Sequence, residues 1–151
     1  QKKVDWAVLS GSADMIDQKG IQYTNINTIR MSTQTLIENM ELKSLIKLNN
    51  VELNIVVDGT LKLSPIFIKD RDFSFISKPK ADKDYPVVSA ASIIAKVIRD
   101  KYMDMLHLKF PQYHWLKNKG YLTQEHCNSI RDCGLSQFHR KSFCGNLLKK
   151  G

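Results

Sequence analysis

The stretch ADKDYPVVSAASIIAKVIRDKYM, residues Ala81–Met103, joins an acidic segment directly to a long helical pattern. A helix is predicted over about Pro86–Leu108, because proline is tolerated in a first helical turn and Pro111 disfavours helix in the residue before it. Small side chains let a helix backbone approach a neighbouring surface closely. The turn Ala90–Ser92 therefore predicts that the start of this helix lies against a sheet.

The apolar residues of this helix recur at helical spacing and predict which face is buried. The expected inward stripe is Ala90, Ile94, Val97, Ile98, Met105 and Leu108. Charged residues mainly mark the other side of the helix, and among them Arg99 and Asp100 are expected to form a surface pair.

The clearest strand lies upstream, in VELNIVVDGT, residues Val51–Thr60. Its apolar run Leu53–Val57 predicts a central strand buried on both faces, and Asp58-Gly59 ends it. Carboxylates at strand ends are common ligand positions in open α/β sheets. An Asp-Gly step is more often a turn, so Asp58 taken alone favours the turn.

Two further carboxylates, Asp82 and Asp84, lie at the entrance of the long helix. Either of them could cap the helix, since negative charge is favoured at a helix N-terminus. If the strands are neighbours, Asp82 would approach Asp58. Paired carboxylates repel each other unless a cation lies between them, and hard Mg²⁺ or Mn²⁺ suits such ligands.

The other patterns predict an α/β protein, a single domain over residues 1–151, with helices on a mixed sheet. The predicted elements are a strand at Val4–Ser12, a short helix between Ser12 and Gly20, helix over Thr24–Leu48 as one element or two broken near Glu41, short strands in SPIFI and DFSFISKP, the second closing at Pro79, and a helix Thr123–Cys133 capped by Gly134. The segment SQFHRKSF has little periodicity.

The composition indicates a globular protein with a basic surface. Its 23 Lys and Arg residues against 15 Asp and Glu residues give a net charge of +8. That excess suits a polyanionic partner, and a solubilising surface is an equal alternative. No apolar run is long enough to span a membrane, and three cysteines without a CxxC pair fit a reduced compartment. A cytoplasmic location is therefore expected.

Aromatic and basic residues interleave from Phe110 onward. The basic side chains that could contact phosphates are Lys117, Lys119, Arg140 and Lys141. The aromatic side chains that could pack against sugar or base are Tyr113, Trp115 and Tyr121. For Trp115 and Phe143, core packing is the favoured alternative. Tyr121 lies in a Lys-Gly-Tyr loop that exposes its ring. The histidines and cysteines between His126 and Cys144 do not have the spacing of a structural zinc site.

Four motifs in one order carry a resemblance to a known family. They are VVDG, KADKDYPVVSAASIIAKVIRDKYM, NKGYLTQEH and GLSQFHRKSF, and the likeness also includes SADMID near the start. Together they closely resemble ribonuclease HII, the type 2 ribonuclease H of bacteria and archaea. The resemblance implies a ribonuclease H-like mixed sheet flanked by helices, and four acidic residues holding two divalent ions. It also implies hydrolysis of the RNA strand of RNA–DNA hybrids and incision at ribonucleotides embedded in a DNA duplex, leaving a 5′-phosphate.

The resemblance assigns roles to individual residues of this sequence. Asp58 and Asp82 match metal-binding catalytic acids, and Tyr121 matches the tyrosine that stacks on the sugar at the DNA–RNA junction. Lys119 and Arg140 are the basic residues expected to bind the substrate with it. With two Mg²⁺ or Mn²⁺ ions, one would activate a water and the other would stabilise the leaving oxygen. A monomer is expected.

The sequence departs from the family pattern at its start. Family members begin with an Asp-Glu-x-Gly-Arg-Gly strand that supplies the other two acids, and these 151 residues do not contain it. The chain is therefore expected to correspond to the C-terminal two-thirds of a family member. Two interpretations stay open: a metal-dependent endonuclease, or a non-catalytic nucleic-acid-binding fragment or degenerate member with an incomplete acidic cluster. A basic α/β domain that binds proteins is disfavoured by the motif order.

Overall fold

The structure, a computed structural model, describes residues 4–43, 45–47 and 52–148. In these residues two helices are followed by four short strands and then by a run of helices, and this mixture confirms the α/β class. The described residues form two compact units. The first unit lies within Gln1–Gly11 and Gln22–Ile93, and the second within Ser12–Ile21 and Ile94–Gly151. The expectation of a single domain stays a prediction.

The elements follow one another in a regular order along the chain. They are α1 (Ala13–Lys19), α2 (Ile21–Leu42), β1 (Ile55–Asp58), β2 (Ile66–Ile68), β3 (Arg71–Phe73), β4 (Phe75–Lys78), α3 (Ala81–Asp84), α4 (Pro86–Lys109), a short 3₁₀ helix (Pro111–Tyr113), α5 (Trp115–Asn118), α6 (Gln124–Cys133) and α7 (Lys141–Leu148). Within the described parts of the chain, no helix is both long and apolar enough to cross a membrane.

The strands of the first unit form two separate pairs. β1 and β4 run parallel, with Ile55 opposite Phe75 and Asp58 opposite Lys78. β2 and β3 form an antiparallel hairpin. Its two connecting residues, Lys69 and Asp70, both have positive φ (46° and 63°), as a type I′ turn requires. Four buried apolar residues from α2 and the hairpin pack together in this unit: Ile37, Ile66, Ile68 and Phe73.

Two strand predictions in the first unit are wrong in part. Residues Val4–Ser12 contain no strand, and Val4 and Trp6 are exposed, so the apolar alternation there does not mark a buried face. The strand at Leu53–Val57 exists as β1, but it is half-buried and pairs with β4 alone among the described residues. An apolar run reports β-propensity without specifying how many neighbours the strand has.

The long upstream helix is a single element, α2, which ends at Leu42. This agrees with the predicted break near Glu41. Its predicted end at Leu48 lies outside the described residues. The guanidinium of Arg30 on this helix donates to the carbonyl oxygens of Ser64 and Pro65, which ties the helix to the start of β2.

Helix boundaries in the second unit follow the predicted capping residues. The hydroxyl of Ser12 accepts from the backbone N–H of Met15 at 3.0 Å, and Gly20 with φ 84° ends α1. Thr123 accepts in the same way from His126, and α6 ends before Gly134. These side-chain acceptors satisfy N–H groups that lack a partner within the helix.

The core of the second unit is aromatic. Tyr113 and Trp115 stack with ring centroids 5.0 Å apart, and Phe110 packs edge-on against Trp115 at 5.9 Å. Trp115 is 2% exposed, which confirms its predicted core role. Tyr113 is 3% exposed, so its predicted contact with sugar or base is wrong. The core prediction for Phe143 is also wrong: its ring is 49% exposed and lies beneath the guanidinium of Arg140.

The helix α4 spans the predicted residues almost to the residue, but its predicted buried face is wrong in part: Ile94 and Ile98 are half-buried, whereas Ala90 and Val97 are exposed. Met105 and Leu108 are exposed, whereas Leu106 is buried and Met103 packs against the aromatic core. The turn Ala90–Ser92 is exposed and does not lie against a sheet. Small side chains permit a close approach but supply no partner surface, and apolar spacing alone cannot say which stripe meets the rings.

The helix α7 was not predicted. Its first N–H groups are bound by a distant carboxylate, because Asp17 accepts from the backbone N–H of Lys141 at 2.7 Å and of Ser142 at 2.9 Å. Hydrogen bonds from the hydroxyl and N–H of Ser142 lower the pKa of Asp17. Asp17 is the final residue of the SADMID motif, so this motif serves to anchor α7.

Candidate functional site

The first candidate site is at the end of β1. Asp58 is the last residue of this strand, and its Oδ1 accepts a hydrogen bond from the backbone N–H of Ala81 at 2.9 Å. Gly59 follows with φ 111° and donates its N–H to the carbonyl of Lys78. The backbone therefore turns away at once, which leaves the side chain of Asp58 exposed at the strand end.

Asp82 lies beside this hydrogen bond in sequence and in space. It follows Ala81, which is completely buried and begins the four-residue helix α3. Asp82 itself is exposed. The bond from Asp58 to Ala81 thus brings the strand end and the helix entrance together. An approach of these two segments was expected if their strands are neighbours, and β1 and β4 do pair.

Asp84 pairs with a lysine that lies next to this site. Lys78 is opposite Asp58 in the β1–β4 register, and its Nζ lies 2.7 Å from Oδ2 of Asp84. The hydrogen bond with Asp84, and then its charge, raise the pKa of Lys78. The ammonium also lies 5.4 Å from the ring centroid of Tyr85. Asp84 therefore pairs with the lysine opposite Asp58 in the strand register, and Oδ2 of Asp58 has no partner among the described residues.

The donor chemistry at this site suits a hard divalent cation. Asp58 and Asp82 both supply carboxylate oxygens, which are the ligands that Mg²⁺ and Mn²⁺ prefer. Throughout the parts of the chain that the structure describes, no cluster of three or more His, Cys, Asp or Glu residues could hold a metal. The two carboxylates are therefore of the kind that such an ion prefers, and their role as metal ligands stays a prediction.

The second candidate site is the loop Asn118–Tyr121, hereafter the 118–121 loop. Lys119 and Gly120 have positive φ angles of 48° and 80°, an unusual conformation for a lysine. Buried Asn118 holds this conformation: its Nδ2 donates to the carbonyl of Tyr113, and its Oδ1 accepts from the N–H of Gly120, both at 2.8 Å. Tyr121 ends the loop with its ring 65% exposed.

The basic residues that were predicted to bind substrate already have partners within the protein. Nζ of Lys119 is in direct contact with Oδ1 of Asp104, so a phosphate would compete with that carboxylate. The guanidinium of Arg140 lies 4.1 Å from the ring centroid of Phe143. Lys117 pairs with Glu125 at 3.0 Å. Their roles at a nucleic acid stay predictions.

The sequence missed a buried histidine pair that supports the 118–121 loop. Nε2 of His139 lies 3.3 Å from Nε2 of His126, and Nδ1 of His126 lies 2.9 Å from the carbonyl oxygen of Tyr113. Because Nδ1 of His139 accepts from the N–H of Ser136, its Nε2 carries the proton and donates to His126. Both rings are then neutral and satisfied. No spacing in the sequence marks this pair.

Burial makes a charge on this pair unfavourable. Desolvation, and then the neighbouring His126, lower the pKa of His139 to about 4. A second proton on His139 would lie on Nδ1 and would place an N–H donor against the backbone N–H of Ser136. The two histidines that were weighed as zinc ligands thus bind each other and the backbone instead.

Comparison with known proteins places the chain in one family. The family model described as ribonuclease HII matches residues 8–146. A ribonuclease HII of Rickettsia typhi is 36% identical over 159 residues, which cover 93% of this chain and 78% of that protein. One of Flavobacterium psychrophilum is also 36% identical, over 71% of this chain and 58% of that protein.

A shorter match is more similar. A ribonuclease HII of Christiangramia forsetii is 50% identical over 64 residues, 42% of this chain. The chain spans 32% of the length of that relative, and less than two thirds of the length of the Flavobacterium one. The family model covers most of the chain, and the quoted motifs lie within its limits. The chain belongs to the ribonuclease HII family.

Proposed function

We propose that this chain contributes to an endonuclease that hydrolyses the RNA strand of RNA–DNA hybrids and incises at ribonucleotides embedded in duplex DNA. Cleavage would leave a 5′-phosphate and a 3′-hydroxyl. Asp58 and Asp82 are the residues that we assign to catalysis and to binding Mg²⁺ or Mn²⁺. The protein would act in the cytoplasm as a monomer.

The hydrogen bond between Asp58 and Ala81 is the observation that carries this proposal. It keeps Oδ1 of Asp58 directed at the start of α3, the helix in which Asp82 is the second residue. Both side chains are exposed, and a phosphodiester could therefore reach them. Divalent ions, when bound, supply water activation and leaving-group stabilisation. The protein's part is to supply and orient the oxygen ligands.

The 118–121 loop would read the sugar. The exposed ring of Tyr121 presents an apolar face of the kind that packs on a ribose, and the 2′-hydroxyl distinguishes RNA from DNA. Lys119 and Arg140 would contact phosphates. The net charge of +8 supports binding to a polyanion, which releases counterions.

Cleavage by an Asp58→Asn variant tests the catalytic assignment. We expect cleavage of a duplex containing one ribonucleotide to fall below about one hundredth of the wild-type rate in Mn²⁺, because the amide cannot supply an anionic ligand. Asp72→Asn is the matched control, since Asp72 is an exposed aspartate on β3 of the same unit. Cleavage that persists in Asp58→Asn, or in excess chelator, would contradict the assignment.

The alternative function is binding of nucleic acid without turnover. It is favoured by the fact that, among the described residues, the end of β1 offers two carboxylates instead of a full cluster. This alternative predicts that wild-type protein binds hybrid duplexes in a strongly salt-dependent manner and cleaves none of them in Mn²⁺. Turnover by the wild type that depends on Asp58 would rule it out.

A further inference from the structure

We propose that Arg99 is a positioning residue that fixes the ring of Tyr121 and thereby sets the preference for a ribonucleotide over a deoxyribonucleotide. The inference rests on the proposed role of Tyr121 at the sugar. Arg99 was expected only to pair with Asp100 on the surface. The structure gives it two additional contacts, both with the 118–121 loop.

The guanidinium of Arg99 binds the loop backbone and covers the ring. Its Nη2 donates to the carbonyl oxygen of Lys119 at 2.7 Å. Its Cζ lies 5.0 Å from the centroid of the Tyr121 ring, within the range of a cation–π interaction. One planar group therefore fixes the backbone just before Tyr121 and one face of its ring. The opposite face is left to meet a sugar.

The position of the guanidinium is itself constrained. Nη1 of Arg99 lies 3.5 Å from Oδ1 of Asp100, and the same carboxylate binds Nζ of Lys96 at 3.0 Å. Arg99 thus has a negatively charged neighbour on its own helix, opposite the loop carbonyl. A charged group held between an anion and a carbonyl has little freedom to rotate away from the ring.

The loop lies close to α4 at Gly120. A Cβ built on Gly120 would lie 3.1 Å from Cε of Met103 and 3.9 Å from Nη2 of Arg99. The φ of 80° also favours glycine at this position. The ammonium of Lys119 contacts Asp104 on the same helix, so the loop is attached to α4 both at its backbone and at a side chain.

Lysine cannot replace arginine in this arrangement. An ammonium group can bind the carbonyl or lie over the ring. It lacks the planar, forked set of N–H donors with which a guanidinium does both at once. Arg99→Lys keeps the charge while removing the geometry. The variant therefore separates an effect on ribonucleotide recognition from a general loss of electrostatic attraction to phosphates. The matched control is Lys101→Arg, an exposed position on the same helix.

The first experiment reads the ring directly in protein without nucleic acid. The chain is labelled with 3-fluorotyrosine, and the ¹⁹F resonance of Tyr121 is identified by its loss in Tyr121→Phe. We expect this resonance to shift in Arg99→Lys and to stay in place in Lys101→Arg. An unchanged resonance in Arg99→Lys overturns the proposal. The remaining tyrosine resonances report whether the fold is intact.

The second experiment measures the dissociation constants for two duplexes of one sequence, one all DNA and one with a single ribonucleotide. We expect their ratio to fall roughly fivefold in Arg99→Lys and to be unchanged in Lys101→Arg. In a Tyr121→Ala background, Arg99→Lys should change the ratio no further. A wild-type ratio in Arg99→Lys overturns the proposal. A shifted Tyr121 resonance together with no preference in the wild type contradicts the proposed function and leaves the positioning contact standing.

Discussion

The end of β1 and the 118–121 loop are held in contrasting ways. Asp58 and Asp82 are exposed, and the described contact between their segments is one hydrogen bond from Ala81. The 118–121 loop instead rests on buried Asn118, on the aromatic core and on contacts to α4. A ligand carboxylate needs access to ions and water, whereas a ring that reads a sugar needs a fixed orientation.

The contrast shows that an exposed side chain is held in position by different interactions at the two sites. At Asp58 the strand end sets the side-chain position, and solvent reaches the oxygens. At Tyr121 the exposed ring is the outer surface of a packed assembly of rings, amides and histidines. Perturbing the core should therefore disturb the loop strongly, and perturbing the carboxylates should leave the fold nearly intact.

The largest expected effect is that of Trp115→Ala. Trp115 lies between the rings of Tyr113, Phe110 and His139, so its removal leaves a cavity beneath the loop. We expect the free energy of unfolding to fall by about 3–5 kcal/mol in urea denaturation. Phe143→Ala is the control on an exposed ring, with an expected loss below about 1 kcal/mol. Equal losses in the two variants would contradict the contrast.

The next effect is a pH dependence from the histidine pair. The pKa of His139 is about 4 in the folded chain and near 6.5 when unfolded, so neutral His139 stabilises the fold fully above pH 6.5. As pH falls from 6.5 to 4 the unfolded chain binds the proton first, and about 3 kcal/mol of stability is lost. Thermal unfolding measured across this range gives the slope.

Two variants assign that slope to His139. His139→Gln should flatten it between pH 6.5 and 4, and His114→Gln, at a half-exposed histidine, should leave it unchanged. The carboxylates of Asp17, Asp100 and Glu125 have lowered pKa values, so their contributions are lost mainly below about pH 4. A slope that survives in His139→Gln would contradict the assignment.

The smallest effect is expected at the end of β1. Asp58→Ala removes the acceptor for the N–H of buried Ala81, at a cost of about 1 kcal/mol in the free energy of unfolding. Asp58→Asn keeps an acceptor oxygen, and its stability should match the wild type within about 0.5 kcal/mol. A loss above about 2 kcal/mol in Asp58→Asn would mean that this end is as tightly packed as the loop.

Local signals in the sequence predicted much of this fold. Ser12 with Gly20, Thr123 with Gly134, and Pro86 specify helix ends through groups within a few residues, and these boundaries are confirmed. The start of α7 depends instead on Asp17, which is 124 residues from Lys141 in the chain. A contact at that separation leaves no trace in a local pattern.

At the candidate site, too, local patterns were predictable from the sequence and contacts between distant residues were not. The motif around Asp58 and Asp82 identified two carboxylates that the structure brings to one end of β1. Tyr113 was expected at the surface because an aromatic residue among lysines resembles a nucleic-acid contact. Its burial depends on rings that come from several elements. The contacts of Arg99 were missed for the same reason, since its spacing indicated only the pair with Asp100.

The bond between Asp17 and the start of α7 has a consequence for how the chain matures on the ribosome. The α1 helix has seven residues and is too short to persist alone in water. Its partner Lys141 is made 124 residues later, which takes about 6–25 s at ordinary rates of synthesis. The first unit has all of its residues by Ile93. Docking of α1 onto α7 therefore has to wait until Lys141 is made, after all residues of the first unit.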